Sequence, residues 1–200
     1  MNTVAGVLYH LAKRGAAHHY LQIDVIPSDS GSAVADRDLG QTFERTNCIH
    51  KQRITFDLRQ DDTDPSSDLE RELYDIMFVR CTRGVDIAHL ERVYRFAAEH
   101  LTERGVVLFD WCNPASSDDA KAAGDGWQLV SRIRCKESAF ACVLANVEHG
   151  IAVLAPRKPS RMFAKRHLPQ YDDYDYLETN RGLLLNLMDF SKFLTLWDYI

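Results

Sequence analysis

The sequence contains no long apolar run, although a membrane-spanning helix needs about 20 consecutive apolar residues. It also lacks a basic excess, because 24 Lys and Arg stand against 29 Asp and Glu and give a net charge of −5. Proteins that bind nucleic acid carry a basic patch, so this balance argues against nucleic acid as a partner. In the predicted N-terminal helix, Lys13 and Arg14 follow the apolar residues instead of preceding them. We therefore expect neither a signal peptide nor contact with a membrane.

Cysteine is scarce and irregularly spaced. The five cysteines are an odd number, and no two of them have CxxC spacing. This usage indicates a reduced, cytoplasmic chain without a disulfide framework or a zinc site. The chain also lacks the GxSxG, P-loop and HExxH motifs. The usual signals of serine hydrolases, nucleotide-phosphate binders and zinc proteases are therefore missing.

The most informative feature that is present is a strand–helix–strand pattern over residues 74–114. Residues 75–79 are a nearly continuous apolar run, as expected for a strand that is covered on both faces. Asp86 is a good N-cap for the following amphipathic helix, which Arg104 and Gly105 are predicted to end. Residues 106–109 then form a second buried strand. This pattern predicts a parallel sheet whose ligands bind outside the carboxyl ends of the strands.

The remaining sequence extends this sheet and gives the fold class. Two apolar runs, 139–144 and 151–154, are joined so closely that they must be antiparallel. Residues 115–126 are small and polar, which predicts a mobile loop. We expect an α/β fold with a mostly parallel sheet, helices on both faces and a C-terminal antiparallel hairpin. The other predicted elements are strands at 20–26 and 54–58 and helices at 3–16, 127–134, 183–187 and 190–197.

Two hundred residues suffice for one domain with a substantial core. We assign residues 1–157 to the α/β domain. Residues 158–200 are predicted to form a helical appendage that packs on the same domain.

The chain resembles the class I S-adenosylmethionine-dependent methyltransferases, a Rossmann-like fold whose sheet ends in a hairpin of this kind. More narrowly, it resembles bacterial methyltransferase-like domains with the pattern YDxIFIDGxH…aLxxGGxIxxHDxxP. Residues 74–79 match the start of that pattern, and residues 101–114 match its end. Residues 126–133 resemble the family's GDVWK helix, and residues 176–190 resemble its NRxxLLNL segment. The resemblance covers about three quarters of the chain and marks it as a divergent member.

The first departure from the family is at the cofactor turn. Members carry an approximate E-x-G-x-x-x-G motif after strand one, where glycine lets the backbone approach the cofactor. Here Gln22 replaces the acid, Asp24 replaces the first glycine, and Gly31 comes three residues late. If S-adenosylmethionine is bound, the resemblance implies that Asp24, Ser28, Gly31 and Arg80 lie beside it. The ribose-binding acid has no clear match, and Asp36, Asp38 and Glu44 are alternatives.

The second departure is at the metal motifs. The family's IDGxH becomes residues 79–83, with Arg80 in the acid's place, and its HD becomes Phe109-Asp110. A divalent metal ion needs several oxygen ligands. Asp110 is the one carboxylate that remains at these motifs, and Arg80 adds a positive charge beside it, so we expect that no metal is bound. Arg80 and Asp110 are predicted to form an ion pair instead. In an active enzyme the methyl acceptor would face Asp110 and Asn113.

These departures favour a non-catalytic or strongly divergent member that works as a binding or regulatory module. The alternative is an active S-adenosylmethionine-dependent methyltransferase acting on a small molecule, since methyl transfer depends mostly on positioning. Whether the chain is an enzyme stays open at this point. The expected partner is a small molecule or a protein. Exposed apolar surface near the C-terminus would indicate a homodimer.

Overall fold

A seven-stranded sheet forms the centre of the part of the chain that the structure describes. The computed structural model describes residues 3–15, 17–26, 39–43, 46, 48–57, 69–81, 84–136, 139–156 and 172–197. The strand order is β2-β1-β3-β4-β6-β5-β7. The strands are β1 (His19–Ile26), β2 (His50–Asp57), β3 (Tyr74–Cys81), β4 (Leu101–Phe109), β5 (Phe140–Ala145), β6 (Ile151–Pro156) and β7 (Leu187–Met188).

The sheet is mostly parallel and contains one antiparallel hairpin. β1 pairs with β2 on one side and with β3 on the other, and β3 pairs with β4, all in parallel. β6 is antiparallel to both β4 and β5, while the short β7 adds parallel to β5. The predicted mixed α/β fold and its antiparallel hairpin are confirmed. The carboxyl ends of β2, β1, β3 and β4 therefore meet along one edge.

Helices cover both faces of this sheet. One core joins buried side chains of α2, α4 and α5 to the sheet, and a second core joins those of α1, α6 and a 3-10 helix to the other face. Within the described residues, no helix combines the length and the apolar content that a bilayer crossing needs. The helices are α1 (Val4–Gly15), α2 (Ile87–Glu99), α3 (Ser117–Ala123), α4 (Gly126–Lys136), α5 (Tyr174–Leu185) and α6 (Phe190–Trp197), and the 3-10 helix is Gly40–Phe43.

The helix between β3 and β4 begins where the sequence predicts. The Asp86 side chain accepts a hydrogen bond from the backbone N–H of His89 at 3.0 Å, so Asp86 is the N-cap of α2. Apolar residues at steps of three and four then face the sheet. Those that are buried are Leu90, Val93, Tyr94, Phe96 and Ala97.

The predicted end of α2 is wrong. The helix ends at Glu99 with His100 as its C-cap, and Gly105 lies inside β4. The pairing of β3 with β4 shifts between Tyr74↔Leu101 and Ile76↔Val106, which leaves an irregular entry to β4. Glycine in a strand often marks such a bulge. Gly105 therefore belongs to the irregular first part of β4 and does not end α2.

The predicted loop at 115–126 contains a helix. Ser116 caps α3 by accepting from the N–H of Asp119, and the two acids Asp118 and Asp119 lie in the first turn, where they favour a helix N-terminus. At the C-terminus, β7 replaces the end of the predicted helix 183–187. The proposed domain boundary after residue 157 lies outside the described residues, so that division stays a prediction.

The turn between β5 and β6 is fixed against the loop that follows β4. The N–H of Cys112 donates to the carbonyl of Gly150 at 3.1 Å, and the N–H of Asn113 donates to that of His149 at 2.8 Å. Gly150 has φ +82°, and a Cβ built on it would lie 2.3 Å from Cβ of Asn113. This close approach needs glycine both for its conformation and for its missing side chain.

We expect Gly150→Ala to destabilise the protein by about 2 kcal/mol or more, because a left-handed backbone and a backbone clash both penalise the new Cβ. Gly182→Ala in α5 is the matched control, since no atom lies within 4 Å of its Cβ position. That substitution should be neutral or stabilise by up to about 1 kcal/mol. Urea unfolding of the two variants measures the difference, and equal stabilities would contradict the role given to Gly150.

Candidate functional site

Three charged side chains lie on one face of the sheet at the carboxyl edge. Asp24 of β1 is the register partner of Arg80 of β3. Asp110 directly follows Phe109, the register partner of Val79, and its N–H donates to the carbonyl of Val79 at 3.1 Å. Alternate residues of a strand face the same side, so these side chains share the face that α1 covers. The strand-exit position predicted for Asp110 is therefore where the structure places it.

The centre of this edge is the carboxylate of Asp24, which is only 1% exposed. Arg53 of β2 donates from Nε to its Oδ2. Arg80 Nη1 lies 3.8 Å from Oδ1, and Gln22 Nε2 donates to the same oxygen at 3.1 Å. A buried charge needs such partners because it has lost its hydration. We call these four residues, Gln22, Asp24, Arg53 and Arg80, the Asp24 cluster.

Gln22 connects the Asp24 cluster to the core. Its side chain is fully buried, and its Oε1 accepts from the hydroxyl of Tyr20 at 3.3 Å and from the N–H of Leu39 at 3.2 Å. Tyr20 in turn packs on the ring of Phe43, with centroids 4.4 Å apart. In sequence Gln22 replaces the family's acid, and here its amide both donates and accepts, which a carboxylate cannot do.

The predicted ion pair between Arg80 and Asp110 is not formed among the described residues. Arg80 faces Asp24, the more deeply buried of the two carboxylates available to it. Sequence reasoning compared only the neighbouring strand ends of β3 and β4. It overlooked that β1 lies on the other side of β3 and presents Asp24 on the same face.

Asp110 has an unusual environment for a carboxyl group. Its pKa is raised to about 6, chiefly by burial and to a smaller extent by the nearby charge of Glu148. The backbone N–H of Trp111, which donates to Oδ1 at 2.7 Å, and the charges of His149 and Arg80 act in the opposite direction. A carboxyl with this pKa exchanges protons near neutral pH, which is what a general acid or base requires.

An aromatic pair stands beside Asp110. The rings of Trp111 and His149 stack with centroids 3.7 Å apart and planes 7° from parallel. Trp111 has φ +58°, and Glu148, which precedes His149, has φ +48°. Left-handed backbone is uncommon outside glycine and is retained where the surroundings enforce it. The sequence analysis did not select Trp111, although its position after a strand-exit acid is a usable signal.

Asn113 is anchored by the C-terminal helix. Arg181 of α5 donates from Nη1 to the Oδ1 of Asn113 at 2.6 Å and to the carbonyl of Pro114 at 2.5 Å. The Asn113 amide also donates to Asn146 Oδ1 at 3.4 Å, across the hairpin turn. These contacts give Asn113 a structural role in the loop. Arg181 was missed because 68 positions separate it from Asn113 in the chain.

The other predicted site residues cannot be placed. Ser28 and Gly31 lie outside the described residues, as do the alternatives Asp36, Asp38 and Glu44. Over the residues that are described, no group of three or more His, Cys, Asp or Glu is arranged to hold a metal ion.

Comparison with known proteins finds a distant likeness among the solved structures. No family model matches the chain, and no curated protein matches it. Solved structures do match, among them a Corynebacterium glutamicum protein determined as a target of the Northeast Structural Genomics Consortium. That structure is 11% identical in sequence, covers 78% of this chain and 82% of its own, and has a TM-score of 0.48. A likeness at this level does not transfer an activity.

We expect Asp24→Asn to cost roughly 3 kcal/mol of unfolding free energy, because it removes the buried anion that Arg53 and Arg80 share. Asp118→Asn is the matched control, since it removes an equal charge from a surface pair with Lys121 that is 92% and 80% exposed. The control should change stability by less than about 1 kcal/mol. Denaturant unfolding at pH 7 compares them, and similar losses would disprove the structural importance of the Asp24 cluster.

The raised pKa of Asp110 predicts a specific dependence of stability on pH. The folded protein binds the proton of the Asp110 carboxyl more tightly than the unfolded chain does. The stabilisation from this protonation is therefore complete below about pH 4 and is lost as pH rises through about 6. Asp110→Asn removes that loss. Relative to that of the unsubstituted protein, the unfolding free energy of the variant should therefore increase by on the order of 2–3 kcal/mol between pH 4 and pH 7. Exposed Asp172→Asn should gain nothing. Unfolding at each pH gives the values, and parallel curves would contradict the prediction.

Proposed function

We propose that the chain is a methyltransferase-fold protein that works as a binding or regulatory module without the methyl donor. The architecture supports the first half of this proposal. A mostly parallel sheet with helices on both faces ends in an antiparallel hairpin, as the sequence resemblance to class I methyltransferases implies. The fold alone does not define an activity, so the argument for the second half rests on the residues at the carboxyl edge.

The observation that carries the proposal is the Asp24 cluster. The family places glycine after strand one so that the backbone can approach the methionine part of the cofactor. Here Asp24 matches that glycine in the sequence, lies inside β1 and is engaged by Gln22, Arg53 and Arg80. A cofactor in that place would have to break these contacts with the buried carboxylate. The described residues therefore do not fit S-adenosylmethionine in the family's manner.

Beyond the Asp24 cluster lie Asp110, Trp111 and His149, which we call the rim. These side chains suit the recognition of a ligand. Trp111 and His149 offer a stacked aromatic surface, with His149 exposed, and Asp110 adds a carboxyl group beside it. Aromatic side chains are rigid contact groups that suit the binding of planar molecules or partner side chains. On this basis the ligand is a small molecule or a protein segment that contacts the exit of β4.

An active methyltransferase is the second candidate, and the pKa of Asp110 favours it. A carboxyl that titrates at about 6 can accept a proton from a bound nucleophile at neutral pH. Asp110 would then be a catalytic base, and Asn113 would position the loop that carries it.

Calorimetric titration with S-adenosylmethionine and S-adenosylhomocysteine separates the two candidates. The proposed module should give no heat and no thermal shift with either compound. An enzyme should bind at least one at micromolar concentration, which corresponds to about −8 kcal/mol. Adenosine and methionine serve as matched controls, because a response to them alone would show a different small-molecule site. Micromolar binding of either cofactor form would overturn the proposal, and loss of methyl transfer in Asp110→Asn would then identify the base.

A further inference from the structure

A cleft between α2 and α4 lies on the opposite face of the sheet from the Asp24 cluster. Its volume is about 330 Å³, which suits a small ligand. Tyr94, Leu129 and Ile133 line it and belong to the core that α2 and α4 form with the sheet. Tyr20, which hydrogen-bonds to Gln22 of the Asp24 cluster, belongs to the other core. The cleft is thus separate from the carboxyl-edge site.

The charge of this cleft contrasts with that of the whole protein. Among the described residues, three cations, Arg95, Arg132 and Lys136, line it together with one acid, Glu91. The described part of the lining therefore carries a net charge of +2, although the chain as a whole carries −5. A concave site lined by one sign of charge concentrates ligands of the opposite sign. The complementary ligand is a dianion.

Arg132 has hydrogen-bonding capacity that the described residues leave unused. Its Nη1 donates to Glu91 Oε1 at 2.8 Å, which joins α4 to α2. Its Nε–H is buried and has no hydrogen-bond partner among the described residues. Buried donors are normally satisfied, so an orphan on a residue that lines a cleft needs an explanation. If the partly exposed guanidinium turns its fork towards the cleft, this N–H meets a bound oxyanion, which supplies the missing partner.

The apolar part of the lining limits the kind of anion. Tyr94, Leu129 and Ile133 are buried side chains that form the apolar portion of the cleft. The ring of Tyr94 is held edge to face by Phe140, with centroids 5.8 Å apart. A bare inorganic ion would leave this portion unused. A small organic molecule that carries a phosphate would contact both parts.

We propose that the cleft between α2 and α4 binds a small-molecule phosphate monoester. Arg132 and Arg95 hold the phosphate oxygens, Lys136 adds charge, and the apolar portion contacts the organic group. A phosphate monoester carries nearly two negative charges at neutral pH, which matches the lining. Glu91 competes with the ligand for Arg132 and so weakens the binding.

The test is calorimetric titration of the whole chain with phenyl phosphate at fixed ionic strength. We expect saturable binding of phenyl phosphate, weaker binding of inorganic phosphate and none of phenol. Arg95→Gln and Arg132→Gln should each weaken binding about tenfold, the effect of losing one charge-assisted hydrogen bond. Glu91→Gln should strengthen it. Arg104→Gln is the matched control, because Arg104 is exposed on β4 and does not line the cleft.

Three results would overturn the proposal. Absence of binding to phenyl phosphate would leave the cations as helix-packing groups only. Equal weakening by Arg104→Gln and Arg95→Gln would reduce the effect to net charge. Inorganic phosphate that binds as tightly as phenyl phosphate would exclude a monoester. Arg95 is exposed, so Arg95→Gln keeps the test valid even if Arg132→Gln fails to fold. The cofactor titration concerns the other face, and its outcome does not affect this one.

Discussion

The charge of Asp24 constrains the whole carboxyl edge of the sheet. A carboxylate with 1% exposure needs cations and hydrogen-bond donors in place of its lost water. Arg53 has to point inward from β2 and Arg80 from β3, while Gln22 must be oriented by the core. The carboxylate of Asp24 thus links the side chains of three neighbouring strands, β2, β1 and β3. The same contacts are the ones on which our proposal of a module without the methyl donor rests.

The sheet could be predicted because its strands are marked by composition. Residues 76–79 and 106–109 are apolar on both faces, and only a strand covered by helices on each side buries such a run. Gly105 shows the limit of local reasoning. An Arg-Gly pair after an amphipathic helix is equally compatible with a helix end and with a strand bulge. The pairing of Leu101 with Tyr74 decides between them, and that contact is not local.

The position of Asp110 at the end of β4 could be predicted from the sequence, but the ion-pair partner of Arg80 could not. The exit of a buried strand correctly located Asp110 at the carboxyl edge of the sheet. Arg80, by contrast, has carboxylates on two neighbouring strands and pairs with the one that is more deeply buried. That choice depends on strand order and desolvation, which residue spacing does not encode. The stack of Trp111 on His149 likewise needs the hairpin turn to meet the loop after β4.

The anchor supplied by Arg181 ties the candidate site to the order of synthesis. Its hydrogen bonds to Asn113 and Pro114 join segments that lie 68 and 67 residues apart. The ribosome synthesises the N-terminus first, so β1 to β4, whose ends form the carboxyl edge, are made before Arg181. The loop after β4 therefore gains this support only after α5 has been synthesised. A nascent chain therefore has β1 to β6 before it has Arg181.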